Sequence, residues 1–385
     1  MSSPRSDVRL PAPAHGRVDV LIVAAEHSGD EHAARMVRGL LAARPNAVVA
    51  ALGGPRLAAA GAQLLRDLTG SSSIGFAVLG KISFYRALIA EVVRWTGEHR
   101  PRVICFVDSS GLNLRIARDL FACGFSAKAG GPTRAVYYIS PQIWASRAGR
   151  RFEMAKYLDG LAAIFPFEPA AYADTSLPVE FVGHPFLAPG HVAPVRYDPD
   201  GAVLLLPGSR KGAVARIFPV LLAGFRAFGQ REAVVIYPSA EILAVLRTEN
   251  PPANVRFVQV SADRTSDPIA ASAVLTSSGT MSMQCALAGI PGAVTYRTDP
   301  LTYLLGRMLV KVEYLGIANL LLREPMYPEY IQSAATPTAL AAELHACVLE
   351  PGRRDRTAGL AARLRSLLSV PASGTAADWL VCQLG

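Results

Sequence analysis

Short, nearly unbroken apolar runs recur along the chain, each closing on a turn that carries Gly, Ser or Asp. The first is VDVLIVAAE (18–26), followed by VVAALGG (48–54), VICFVD (103–108), AVYYIS (135–140), LAAIF (161–165) and VEFVG (179–183). A continuous apolar run predicts a strand buried on both faces of a parallel sheet, and the stretches between read as helices. The pattern breaks at the Pro- and Gly-rich stretch LAPGHVAPVRYDPDG (187–201) and then restarts with AVLLLPG (202–208), AVVIYPS (233–239), VRFVQVS (255–261), AVLTSS (273–278) and GAVTYR (292–297). From Thr336 the chain reads as three helical pieces. Alternating βα units twice over predict two doubly wound α/β domains. The expected organisation is a flexible tail over 1–17, a first domain over 18–190, a linker over 191–200 and a second domain with terminal helices over 201–385.

At 385 residues the chain is long enough for two cores, and 51% apolar with 18% charged residues excludes a disordered protein. No stretch reads as a membrane span; the longest uncharged run, Pro268 to Tyr296, is interrupted by Ser, Thr, Gln, Gly and Pro. Five scattered cysteines with no Cys-x-x-Cys read as reduced thiols of a cytosolic protein. The net charge of +9 is concentrated: between Lys81 and Lys156 there are 13 basic and 5 acidic residues. A solvated basic face is one reading, and an anionic membrane or phosphorylated lipid is the other, because apolar residues adjoin it. No nucleic-acid-binding signature is present.

Four junctions carry candidate chemistry. Glu26-His27-Ser28-Gly29-Asp30 closes the first strand and opens a helix, so its N–H groups can face an anion; Ser and Asp are equally ordinary helix caps. Asp108, in FVDSSGLNL, stands at the carboxyl end of a strand, where a carboxylate can take a proton from a substrate hydroxyl or merely cap the next helix. Ser209-Arg210-Lys211-Gly212 offers N–H groups, a hydroxyl and a guanidinium to a phosphate without the lysine spacing of a P-loop. Ser277-Ser278-Gly279-Thr280 is a second such junction; either alone reads equally as simple capping, and two in one domain suggest a nucleoside diphosphate. His184, before Pro185, reads as shaping a turn, and no cluster has metal-ligand spacing.

Together these segments resemble the lipid-A-disaccharide synthase family. The resemblance rests on AEHSGD (25–30), GGPRLAAAG (53–61), SIGFAVL (73–79), VDSSGLNLRIA (107–117), YYISPQIWASR (137–147), FPFEPAAY (165–172), FVGHPF (181–186), LLLPGSRKG (204–212), SSGTMSMQCALAGIP (277–291), YRTDPLTYLLGRMLVK (296–311) and EYLGIANLL (313–321), in family order. It implies a GT-B fold, two Rossmann-like domains facing a cleft. It also implies transfer of 2,3-diacylglucosamine from its UDP donor to 2,3-diacylglucosamine 1-phosphate, with inversion, no metal and no cofactor. By motif position, Asp108 is the base on the acceptor 6-hydroxyl. Ser28, Gly29, Asp30 and Asn113 fall on the acceptor side. Ser209, Arg210, Ser278, Gly279, Thr280, Gln284 and Asn319 fall on the UDP side. Ile74, Phe76, Val78 and Leu79 are the candidate acyl-chain or membrane contacts. The implied setting is cytoplasmic, at the anionic inner-membrane surface, with a homodimer left open.

The sequence departs from the family pattern at four places. Gly111 stands where the family has a second Asp, and Met281-Ser282-Met283-Gln284 replaces Thr-x-x-Glu. Arg323-Glu324-Pro325 replaces Gly-Arg-Glu, and Ser146 replaces the second Trp of Trp-Ala-Trp-Arg. A GT-B transferase for another lipid-linked sugar, or a non-catalytic relative that binds UDP-sugar or lipid, are the competing readings.

Overall fold

A computed structural model of the chain describes residues 8–69, 78–229, 231–259, 267–299 and 313–385. It divides into two compact units, Met1–Pro185 with Val370–Gly385, and Phe186–Ser369.

The first unit contains β1 (Val20–Val23), α1 (His27–Ala43), β2 (Val49–Gly53), α2 (Pro55–Ala59), β3 (Gln63–Asp67), α3 (Val78–His99), β4 (Val103–Val107), α4 (Ser110–Ala122), β5 (Arg134–Tyr138), α5 (Arg150–Tyr157), β6 (Gly160–Ala163), α6 (Glu168–Ala171) and β7 (Val179–Phe181). Its strands form one sheet in the order β3-β2-β1-β4-β5-β6-β7, and every pairing is parallel. Leu21, Val23, Ile104, Phe106 and Tyr137 are fully buried in it, as the unbroken apolar runs require. β3 and the short β7 lie at the edges. β3, QLLRD, has no apolar run because it buries only one of its five residues.

The second unit contains β8 (Val195–Leu206), α7 (Lys211–Phe228), β9 (Ala233–Tyr237), α8 (Ala240–Arg247), β10 (Val255–Gln259), β11 (Ile269–Thr276), α9 (Thr280–Leu287), β12 (Gly292–Tyr296), α10 (Ile317–Leu322), β13 (Glu329–Ile331), α11 (Pro337–Leu349) and α12 (Pro351–Leu368). The sheet order is β10-β9-β8-β11-β12-β13, again all parallel. Residues 195–200, within the expected linker, are the first half of β8, and they pair with β11 through Val195 and Arg196. Ser272 Oγ donates to Gly201 O at 2.8 Å, fixing the register across the bulge in this long strand.

Two terminal segments differ from expectation. Residues 8–13, expected within a flexible tail, are tied to α3: Leu10 N donates to Glu91 at 2.7 Å and Trp95 Nε1 donates to Pro11 O at 2.8 Å. The last helix, α13 (Ala376–Gln383), belongs to the first unit rather than the second. It packs on α1, where a Cβ on Gly39 would come within 2.5 Å of Ala377, and it buries Trp379 and Leu380. Arg134 bonds Gln383 at 2.9 Å, and Arg102 bonds Leu384 O. Among the described residues no helix is long and apolar enough to cross a membrane.

One buried carboxyl gives this fold a pH dependence. Glu168 is fully buried, and its Oε2 accepts from Ile164 N at 3.1 Å and Phe165 N at 3.0 Å, closing the Phe-Pro-Phe-Glu turn. Burial pushes its carboxyl up to about 7, against the partial opposition of those two N–H groups. Between the ordinary value of 4.5 and about 7, the folded state keeps a proton that the unfolded state has released. The contribution is therefore fully present below pH 4.5 and is lost as pH rises through about 7. Urea titrations should show unfolding free energy falling by roughly 3 kcal/mol from this group across that window. Glu168→Gln, which keeps the acceptor oxygen, should flatten that part of the curve; an unchanged slope would refute the assignment.

Candidate active site

In each sheet the strand order reverses direction once, between β1 and β4 in the first unit and between β8 and β11 in the second. Right-handed crossovers then carry the flanking connections to opposite faces, and a crevice opens at the carboxyl ends of the two strands. The four junctions identified from sequence are the four connections at these two places. In the first unit they follow Val23 and Val107; in the second they follow Leu206 and Thr276.

Asp108 follows β4 directly, and its N–H donates to Tyr138 O at 3.1 Å. Its φ is 52° and that of Ser109 is 45°, two successive non-glycine residues in the left-handed region. This turn redirects the chain from the strand into α4. Asn113, one turn into α4, is fully buried and gives its amide to main-chain carbonyls: Asp108 O at 2.8 Å, Val107 O at 3.3 Å and Val23 O at 3.5 Å. Arg150 Nη1 reaches Ser110 Oγ at 3.0 Å, placing a guanidinium at the start of α4.

Across the same crevice, Ser28 is half-buried in the first turn of α1 and Gly29 is buried against Val107 O, 3.5 Å from where its Cβ would stand. Asp30 is 2% exposed and faces the segment that follows β2. Its carboxylate accepts from Gly54 N at 2.8 Å, Arg56 N at 3.1 Å and Leu57 N at 3.2 Å, capping α2. A Cβ on Gly54 would meet Asp30 Oδ2 at 2.6 Å, so the Gly-Gly-Pro-Arg segment and the Ser-Gly-Asp segment are one structural device. Burial raises the Asp30 carboxyl and the three N–H groups lower it, with the rise prevailing. His27, beside it, is held below the usual imidazole range by burial and by Arg56.

In the second unit, Gly208 has φ +106°, and a Cβ there would lie 3.2 Å from Ser277 Oγ, so the turns after β8 and β11 touch. Ser277 N donates to Leu206 O at 2.8 Å. Ser209 and Arg210 are exposed at the start of α7, and Thr280 is exposed at the start of α9. Ser278 and Gly279 are half-buried between them, and the Ser282 hydroxyl closes the turn onto Gly279 O at 2.6 Å. Gln284 is 4% exposed, and its Oε1 lies 3.3 Å from His191 Nε2. Asn319 is fully buried: Nδ2 donates to Tyr327 O at 2.7 Å and Glu329 at 2.9 Å, and Oδ1 accepts from Tyr327 N at 3.0 Å. Glu329 also takes Leu315 N and Gly316 N at 2.9 Å each, so this cluster holds the entry to α10.

The structure therefore brings Ser28, Gly29 and Asp108 to one switch point, and Ser209, Arg210, Ser278, Gly279 and Thr280 to the other. It turns the side chains of Asp30, Asn113 and Asn319 onto the main chain. Tyr137 and Arg150 are not singled out from sequence, since a Tyr in an apolar run and an Arg in a basic stretch carry no spacing signal. Ile74 and Phe76 lie outside the described residues; Val78 and Leu79 open α3, and their side chains also lie outside the description.

Solved structures at low identity share this architecture. The UDP-GlcNAc 2-epimerase of Neisseria meningitidis, solved with UDP-GlcNAc, matches with TM-score 0.57 at 10% identity over 95% of this chain and 99% of its own. The kitacinnamycin glycosyltransferase matches with TM-score 0.56 at 16% identity over 96% of this chain and all of its own. Both display the GT-B arrangement of two parallel-sheet α/β domains. Among sequence relatives, the lipid-A-disaccharide synthase of Geobacter metallireducens is 32% identical over 368 residues, 91% of this chain and 92% of that protein. That of Syntrophus aciditrophicus is 33% identical over 367 residues, 91% and 94% of the two chains. The model of the lipid-A-disaccharide synthetase family matches residues 20–369, nearly the whole of both units, and on this evidence the chain belongs to that family.

Proposed function

We propose that the protein joins two acylated glucosamine units in lipid A biosynthesis. The donor is UDP-2,3-diacylglucosamine, the acceptor is the 6-hydroxyl of 2,3-diacylglucosamine 1-phosphate, and the products are the β-1,6-linked disaccharide 1-phosphate and UDP. The observation that carries this reading is the placement of Asp108 at the β1/β4 switch point in a chain of this family. A carboxylate there can take the proton of the attacking hydroxyl as the glycosidic bond forms. Attack from the face opposite the departing UDP inverts the anomeric carbon.

The leaving diphosphate needs positive charge and donors. Arg210, the N-cap of α7, supplies a guanidinium, and the first residues of α7 and α9 supply N–H groups, a task that requires no metal in this scheme. Gln284 would meet the ribose, where the family's Glu offers two charged oxygens. Here the single amide oxygen already faces His191. The positive excess between Lys81 and Lys156 fits an anionic membrane surface from which acylated substrates are drawn.

Asp108→Asn should lower turnover by roughly 10²–10⁴-fold with UDP affinity unchanged, measured by UDP release and by product mass. Near-normal turnover would remove Asp108 as the base. For Arg210→Ala, calorimetric titration should show UDP binding weakened by about 1.5–3 kcal/mol, the range for a hydrogen bond to a charged group; unchanged binding would exclude Arg210 from the donor site. Gln284→Glu should tighten UDP binding about fivefold to tenfold at pH 7–8, because a carboxylate can face His191 with one oxygen and the ribose with the other. Weaker binding in that variant would show a pocket fitted to the amide.

A further inference from the structure

We propose that Asn113 and Tyr137 are positioning residues that hold the main chain of Asp108 in its left-handed turn and thereby aim its carboxylate. The proposal rests on Asp108 being the base, as argued above.

Three observations carry it. The first is conformational: Asp108 and Ser109 have φ of 52° and 45°, and neither is glycine. Each costs conformational energy, and such a pair persists only where surrounding contacts impose it. The second is what imposes it. The carbonyl of Asp108 accepts from Asn113 Nδ2 at 2.8 Å, and the hydroxyl of Tyr137 donates to the same oxygen. One donor stands on α4 and the other on β5, so the carbonyl is gripped from two separate elements. The amide of Asn113 also reaches Val107 O at 3.3 Å and Val23 O at 3.5 Å, bridging the ends of the two switch-point strands.

The third observation concerns cost. Asn113 and Tyr137 are both fully buried. The Asn113 Oδ1 has no hydrogen-bond partner among the described residues. A leucine fills nearly the same volume without that unpaired oxygen, so for core packing alone the amide is the poorer choice. Its donor is what the site gains, and the donor is aimed at the residue that carries the chemistry. The hydroxyl of Tyr137 stays protonated and able to donate, since burial and the nearby Asp108 push its ionisation well above the usual range.

Misplacement of a reacting group by about 1 Å costs on the order of 10²-fold in rate while leaving binding contacts in place. Asn113→Leu should therefore lower kcat roughly tenfold to hundredfold. KM for both substrates should stay within about twofold, with the UDP titration unaltered, the split that marks an interaction used only in the transition state. Tyr137→Phe removes one hydroxyl and is the variant that decides if Asn113→Leu fails to fold; it should lower kcat about threefold to tenfold at an unchanged melting temperature. Normal kcat in a folded Asn113→Leu or in Tyr137→Phe would overturn the proposal, as would a loss confined to KM. Asp108→Asn, assayed alongside, separates the two readings. If it keeps turnover, the base assignment has failed; if it is inactive while the two positioning variants are normal, only the positioning role has failed.

Discussion

A parallel strand can be continued only by a crossover, and the crossovers of each sheet change face once. That constraint fixes where anything polar can gather. Everywhere else the strand ends are covered by their own connections; between β1 and β4, and between β8 and β11, the connections diverge and leave backbone N–H groups and side chains facing outward. The segments after Val23, Val107, Leu206 and Thr276 stand at these two switch points. Gly208, with φ +106° and Ser277 Oγ only 3.2 Å from where a Cβ would stand, lets the two turns of the second unit approach closely.

Around those openings, most buried polar side chains serve the main chain. Asp30 caps α2, Glu168 closes the turn before α6, and Asn319 with Glu329 holds the start of α10. In the second unit Glu343 meets Arg353 at 2.9 Å with both side chains about nine-tenths buried, and Arg353 also reaches Met326 O and Gly292 O. A buried polar group left without a partner is expensive, and these groups are engaged except at Glu168 Oε1, which has no hydrogen-bond partner among the described residues. The motifs thus divide into residues that build the two crevices and a smaller number that face into them. Asp108, directly after β4, and Arg210, the N-cap of α7, are proposed to be of the second kind.

The departures from the family pattern fall unevenly across that division. Gly111 stands in the first turn of α4, where no neighbour would meet a side chain at that position. Arg323 turns the chain out of α10 with φ 53°, and Glu324 then pairs with Arg356 and Arg363 on α12. That replacement is accommodated by ion pairs within the second unit. Gln284 sits closest to the proposed donor chemistry, and its partner His191 comes from the segment just before β8.

Local pattern was enough to read the central strands, the two α/β units and the polar junctions that end β1, β4, β8 and β11, because strands buried on both faces must be apolar throughout. Of the edge strands, β7 and β10 keep enough apolar residues to be read, whereas β3 and β13 escaped because they carry polar residues such as Gln63, Arg66 and Glu329 and show no continuous run. Which polar residue faces a ligand and which caps a helix was not legible. Asp30, Asn113 and Asn319 look in sequence like Asp108 and Ser209, and only the arrival of Gly54, the strand-end carbonyls and Tyr327 from elsewhere in the chain distinguishes them. The return of α13 to the first unit is likewise a tertiary fact. An amphipathic helix records that it needs an apolar surface, and only the packed structure, with Gly39 of α1 facing Ala377 and Gly160 of β6 facing Trp379, decides which surface that is.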